Sequence, residues 1–176
     1  MPLQPTHSRP AFGDRDGSLR DAIAALVADC CRDLRDRGLP DVSVTIDIPV
    51  GRSMPAADAS VRRLLEPLLR RAIESAARAD GSGDAPLIRE LVVTGIDAGT
   101  AIEIEVADSG TPLSPAVRSW LAGDDDTMPE DAGLALAAVR AGAARIGGTV
   151  RALNCPEGGV AVTLRIPHRQ ARRLAA

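Results

Sequence analysis

Apolar residues recur along this chain with two periods, and the points where the period changes mark its elements. Leu19, Ile23, Leu26, Val27, Cys30 and Leu34 fall at three- and four-residue intervals, which predicts a helix from about Ser18 to Arg37. Ser18 is placed to cap its start, and Gly38 and Pro40 to end it. Val42, Val44, Ile46 and Ile48 then alternate with Ser43, Thr45 and Asp47, a half-buried strand stopped by Pro49. The helical period returns in LLEPLLRRAIESA, Leu64–Ala76, where Val61, Leu64, Leu65, Leu68, Ala72 and Ala76 form the apolar stripe. Pro67 removes one backbone hydrogen bond in mid-helix and is expected to kink it.

Two strands follow, at about 87–96 and 101–107, joined by the turn Asp97-Ala98-Gly99-Thr100. In the second, Ile102, Ile104 and Val106 are expected to face inward and Glu103 and Glu105 outward. Ser114-Pro115 reads as a cap with proline at the first helical position, opening a short helix to about Leu121. The acidic loop 123–131 precedes a helix over about 132–146, which Gly147-Gly148 stops. A final hairpin pairs 149–153 with 160–166, where Val160, Val162, Leu164 and Ile166 alternate with Ala161, Thr163 and Arg165. Closely spaced hairpins with segregated helices predict an α+β two-layer sandwich: a mixed, mostly antiparallel sheet covered on one face by about three helices. The Pro- and Gly-rich residues 1–17 are expected to be a flexible leader, 18–167 the domain, and 168–176 a basic flexible tail.

Composition narrows the picture. With 176 residues, 45% of them apolar, the chain is sized for one domain with a real core. That core must be aliphatic, since there is one Trp, one Phe and no Tyr. Every basic side chain other than histidine is an arginine, and the net charge is −3. The charge leaves no electrostatic footprint for nucleic acid, and the lack of aromatics leaves no stacking platform for single strands. No apolar run approaches the ~20 residues that cross a bilayer, so no membrane contact is expected. Cys30, Cys31 and Cys155 have neither metal-ligand spacing nor the even count of a disulfide framework, and read as reduced packing residues of a cytoplasmic protein. No Ser/His/Asp or Cys/His constellation can be assembled from the chain.

Four segments carry a further signal: LLEPLLRRAIESA, VADSGTPLSP, DAGLALAAVRAGAARIGGTVRAL and GGVAVTLRIP. In this order and on these elements, over about Asp41 to Pro167, they resemble the ATP-binding domain of bacterial sensor histidine kinases. This is the Bergerat fold shared with gyrase, heat-shock chaperones and mismatch-repair ATPases. The resemblance implies a helix motif of the form N-L-L-x-N-A, whose second Asn holds the magnesium that bridges the phosphates. Arg71 stands at that position here and Pro67 four residues before it. Arginine has no lone pair for a metal and proline no polar side-chain atom, so no metal site is expected.

The resemblance further implies a D-x-G-x-G motif, whose Asp accepts a hydrogen bond from adenine. Asp108 and Gly110 match it, and Pro112 replaces the second glycine. A G-x-G-L motif would cradle phosphate at a helix N-terminus. Gly133 and Leu134 match it, with Asp131 in place of the first glycine. Thr163 of the last strand completes the pocket that the resemblance implies: Arg71, Asp108, Gly110, Gly133, Leu134 and Thr163. The acidic run Asp124, Asp125, Asp126, Glu130 and Asp131 would repel a triphosphate.

Arg71 has three open roles: a fixed cation on a phosphate, an internal partner for Asp108 or the acidic loop, or a solvated surface charge. The internal pair is favoured, because the acids are already in the chain. The implied function is a histidine-kinase-like ATPase domain with degenerate motifs, acting as a regulatory or protein-binding module in bacterial signalling. ATP or ADP binding would be weak, metal-independent or absent. One alternative is an active ATP-dependent kinase of the sensor histidine kinase or anti-sigma-factor serine kinase type, needing Glu66 or Glu74 as a substitute metal ligand. Another is a histidine phosphotransfer-like protein with a decayed ATPase domain, though His7 and His168 lie outside every predicted helix. A protein partner is implied, and the exposed faces of the first helix offer a route to a homodimer.

Overall fold

The structure, a computed structural model, describes residues 18–49, 59–79 and 88–168. The expected leader, the loops at 51–57 and 80–86, and the tail after His168 lie outside the described residues.

The elements follow in the order α1 (Leu19–Asp36), β1 (Ser43–Asp47), α2 (Ala59–Ala77), β2 (Glu90–Asp97), β3 (Ala101–Asp108), α3 (Pro115–Ala122), α4 (Gly133–Arg145), β4 (Thr149–Asn154) and β5 (Val160–Pro167). The acidic loop contains one 3-10 turn, Glu130–Ala132. Ser18 begins α1 with a capping box: its hydroxyl accepts from the Asp21 N–H, and the Asp21 carboxylate accepts from the Ser18 N–H. Ser114 caps α3 through its hydroxyl, with Pro115 at the first helical position. α2 runs unbroken through Pro67.

The five strands form one sheet in the order β1-β2-β3-β5-β4. β1 and β2 are parallel, Thr45 opposite Val92, as two strands joined through a crossover helix must be when the chain re-enters from the same end. All other neighbours are antiparallel, with Ile104 opposite Leu164 and Ala152 opposite Val162. This is the expected α+β sandwich with a mixed, mostly antiparallel sheet, and four helices contribute to its core.

Strand β2 begins later than its apolar run suggests, at Glu90, and Ser109 bonds the backbone on either side of residue 89. Its hydroxyl donates to the Ile88 carbonyl at 2.9 Å and accepts from the Glu90 N–H at 2.8 Å. Ile88 is thus held by a side chain, while the Arg89 carbonyl accepts from the Ser43 N–H of β1 at 2.8 Å.

The core lies between the helices and one face of the sheet. α2 supplies Leu64, Leu65, Leu68, Leu69, Ala72 and Ile73, and packs against both α1 and α4. The sheet supplies Leu91, Val93, Ile104, Val106, Val162 and Leu164. The opposite face is polar: Arg165 meets Glu103 at 3.3 Å, and the Thr163 hydroxyl donates to Glu105 at 3.1 Å. The apolar face of α1 is spent on this core, so a dimer through α1 would have to use its outer face of Ala24, Ala25, Ala28 and charged residues. No helix among the described residues is long and apolar enough to cross a membrane.

The capping box gives a direct check. Ser18→Ala is expected to cost about 1 kcal/mol in chemical denaturation and to raise amide exchange in the first turn of α1; an unchanged midpoint would remove the box from the account of where α1 starts.

Candidate functional site

Residues 67, 71 and 75 of α2 stand one turn apart on a single row, and the row points at the end of β3. Arg71 Nη1 donates to Asp108 Oδ2 at 2.9 Å. The other carboxylate oxygen, Oδ1, accepts from the Gly110 N–H at 2.9 Å. The Asp108 side chain is 1% exposed and that of Arg71 18%. Among the described residues Asp108 is the one buried charged residue. Of the roles open to Arg71, the structure realises the internal pair, with Asp108 rather than with the acidic loop.

Burial pushes the Asp108 carboxyl above the ordinary range; Arg71, the Gly110 N–H and the Ser75 hydroxyl oppose that shift without cancelling it. Ser75 also accepts from the Thr111 N–H at 3.1 Å, so one hydroxyl holds both the carboxylate and the loop that follows it. Gly110 is required by proximity. A Cβ there would stand 2.0 Å from Ser75 Oγ and 2.5 Å from the Ser75 carbonyl carbon. The loop after Asp108 therefore rests directly on the α2 backbone.

The other side of this loop is fixed by the β4–β5 turn. Asn154 Oδ1 accepts from the Leu113 N–H and Asn154 Nδ2 donates to the Leu113 carbonyl, both at 2.9 Å. Gly159 packs so closely on the Asp108 carbonyl that a Cβ would overlap it. Ser75, Asn154 and Gly159 all escape a reading of the sequence. Ser75 alone leaves a trace, as the residue one turn beyond Arg71 on the same helical row.

The remaining expected residues are not gathered here. Gly133, at φ 73°, makes the junction between the 3-10 turn and α4, and a Cβ on it would meet nothing within 4 Å. Leu134 beside it is 87% exposed. No hydrogen bond or ion pair among the described residues joins either to the Arg71–Asp108 pair. Thr163 shares a face of β5 with Ala161 and Arg165, away from the helices, and its hydroxyl is engaged by Glu105.

The two carboxylates that could replace the missing metal ligand turn away from this row. Glu74 Oε1 is bound by Arg37 of α1 at 2.5 Å. Glu66 lies near Cys30 of α1. Arg70, one residue before Arg71, meets Asp33 of α1 at 2.8 Å. One edge of α2 is therefore tied to α1 by Asp33, Arg37, Arg70 and Glu74, and the next edge to β3 by Arg71 and Ser75. Among the described residues no group of three or more His, Cys, Asp or Glu side chains could hold a metal ion.

Residues 57–170, more than half of the chain, match the profile of a family described as "Histidine kinase-, DNA gyrase B-, and HSP90-like ATPase". Among solved structures, a nucleotide-free form of the catalytic domain of histidine kinase ThkA aligns over 86% of this chain and 94% of that one, with TM-score 0.64 and 18% identity. A mycobacterial sensor histidine kinase, MprB, aligns over 86% and 96%, with TM-score 0.57 and 17% identity. The Acinetobacter baumannii histidine kinase AdeS aligns over 85% and 65%, with TM-score 0.56 and 19% identity. At such identities the likeness to these structures is one of fold. No curated protein sequence matches the chain.

Two substitutions test the geometry. Asp108 has a folded pKa above its unfolded one, so its contribution to stability is full below the unfolded value and is lost as pH rises through the folded value. Arg71→Met should push the carboxyl still higher, as read by carboxyl-carbon NMR. It should also cost about 3 kcal/mol where Asp108 is ionised and much less where it is protonated. A cost independent of pH would mean that the pair is not what holds α2 to β3. Gly110→Ala is expected to cost about 1–3 kcal/mol in urea denaturation. Adding Ser75→Ala should not rescue it, because the Ser75 carbonyl carbon and oxygen would still lie 2.5 and 2.6 Å from the new methyl.

Proposed function

Because the chain belongs to the histidine kinase-, DNA gyrase B- and HSP90-like ATPase family, we propose that it is a remodelled member, serving in the bacterial cytoplasm as a regulatory or protein-binding module of signal transduction. The observation that carries this reading is the Arg71–Asp108 pair. The resemblance puts a magnesium ligand at position 71 and an adenine acceptor at position 108, and here each residue is the other's partner at 2.9 Å.

A magnesium–nucleotide does not fit these residues. A guanidinium offers no lone pair to a cation, and its charge repels one. The Asp108 oxygens already accept from Arg71 and from the Gly110 N–H, so a nucleobase would have to share a buried carboxylate with internal partners. Pro112 offers no N–H to a ligand. Exposed Asp131 puts a negative charge two residues before Gly133, where the resemblance places phosphate. With Glu66 and Glu74 turned toward α1, no second carboxylate restores the metal. ATP or ADP binding is therefore weak, metal-independent or absent, and the domain works through the protein surfaces it presents. Arg71 still leaves one use for an anion: released from Asp108, it is a fixed cation that needs no metal.

Isothermal titration with ATP and with ADP, each with and without magnesium, tests the reading. The expected result is no magnesium-dependent heat and an affinity no tighter than about 1 mM, near 4 kcal/mol of binding free energy. Micromolar magnesium-dependent binding with turnover would refute it.

A further inference from the structure

We propose that the acidic loop and the start of α4 form a docking surface for a basic, amphipathic helix of a partner protein. This rests on the binding-module reading above and specifies which surface does the binding. The apolar part is Leu134, 87% exposed on the first turn of α4, and Met128, 41% exposed on the other side of the 3-10 turn. Among the described residues only Ile88, Ile96 and Leu153 are comparable exposed hydrophobics, each on or beside a strand. Ala138 and Ala141, both exposed, follow Leu134 at four- and seven-residue spacing on the same side of α4. Leu134 and Met128 are the apolar anchors that this surface offers a partner.

Charge selects the occupant. Asp124, Asp125, Asp126, Glu130 and Asp131 are all exposed and flank Met128 along the chain. Elsewhere among the described residues many of the acids are matched, Asp33 with Arg37 and Arg70, Glu74 with Arg37, Glu103 with Arg165 and Asp108 with Arg71, and those that are not, such as Asp36, Asp47 and Glu157, are scattered along the chain rather than gathered in one loop. In the loop, Asp124, Glu130 and Asp131 have no side-chain hydrogen bond or ion pair among the described residues. Asp125 accepts only from the Thr127 N–H, and Asp126 meets Arg140 at 3.8 Å. Arg140 itself is stacked over Trp120, 4.7 Å from the ring centroid. The rim is thus a set of carboxylates in need of cations, set around two apolar anchors. A helix carrying arginine or lysine beside a leucine stripe satisfies both demands, and a nucleic acid or an acidic segment satisfies neither.

Fluorescence anisotropy with the full chain provides the test. The probe is a labelled leucine/lysine peptide of roughly 18 residues, patterned to put its leucines on one helical face. The control has the same composition scrambled to remove that face. The patterned peptide should bind at least about tenfold more tightly than the scrambled one, and its binding should weaken as salt rises. Met128→Ser with Leu134→Ser should weaken it about tenfold, and Asp124→Asn with Asp125→Asn and Asp126→Asn should flatten the salt dependence. These positions are exposed, and unchanged melting curves would confirm that the variants fold.

Equal binding of the two peptides, or serine variants that bind like the parent, would overturn the proposal. A parent that sediments as a dimer while the serine variant is monomeric would assign the surface to a second copy instead. A chain ending at His168 that binds the peptide about tenfold more tightly than the full chain would assign it to residues 169–176, and either result also overturns the proposal. Titration of the same preparations with magnesium–ATP separates the two readings. Peptide binding alongside productive nucleotide binding refutes only the remodelled-pocket reading, whereas a silent nucleotide with no peptide binding refutes only the docking surface.

Discussion

A carboxylate removed from water must be answered by other groups, and in this domain Asp108 is that carboxylate. Its environment explains most of what is particular about the fold's polar end. The cation comes from α2, the amide from Gly110, and a hydroxyl from Ser75 one turn beyond the cation. Each of these places a demand on the backbone. Arg71 and Ser75 have to share a helical row aimed at β3, and residue 110 has to be small enough to rest on α2. Losing one member would leave a buried charge unanswered, the kind of change that costs several kcal/mol, whereas most surface substitutions cost little.

The same helix solves a second electrostatic problem on its adjacent edge. Arg70 and Glu74 close on Asp33 and Arg37 of α1, so α2 is tied by charge to a helix on one side and a strand on the other. Those outer pairs are partly exposed, and exposed pairs contribute little individually. Their value lies in direction: they fix which way the polar edge of α2 faces, and so keep Glu66 and Glu74 out of the site. The buried pair joins α2 to β3, and the exposed network ties its adjacent edge to α1.

Much of this architecture was legible in the sequence because burial leaves a periodic trace. Val160, Val162, Leu164 and Ile166 announced a strand with one dry face, and the helical stripe of Leu64, Leu65 and Leu68 announced α2. The motif residues Arg71 and Asp108 were legible for a different reason: Asp108 stands where a known fold keeps the same residue, and Arg71 where it keeps other chemistry. What the sequence concealed were contacts between segments far apart in the chain. Asn154 bonding Leu113 spans 41 positions, and neither residue belongs to a motif. Thr163 shows the limit from the other side. Its alternation with Val162 and Leu164 already placed it on the outer face of β5, so the motif match and the strand period disagreed, and the position follows the period.

The grip of Asn154 on Leu113 bears on how this site could be entered. One amide side chain closes both backbone groups of Leu113 and so fastens the stretch after Asp108 to a hairpin. That hairpin's second strand is itself laddered to β3 along its whole length. The stretch from Asp108 to Leu113 is thereby a wall, without a hinge of its own. Asp108 is buried behind Arg71, so a swing of that one side chain would bare the carboxylate without moving the wall.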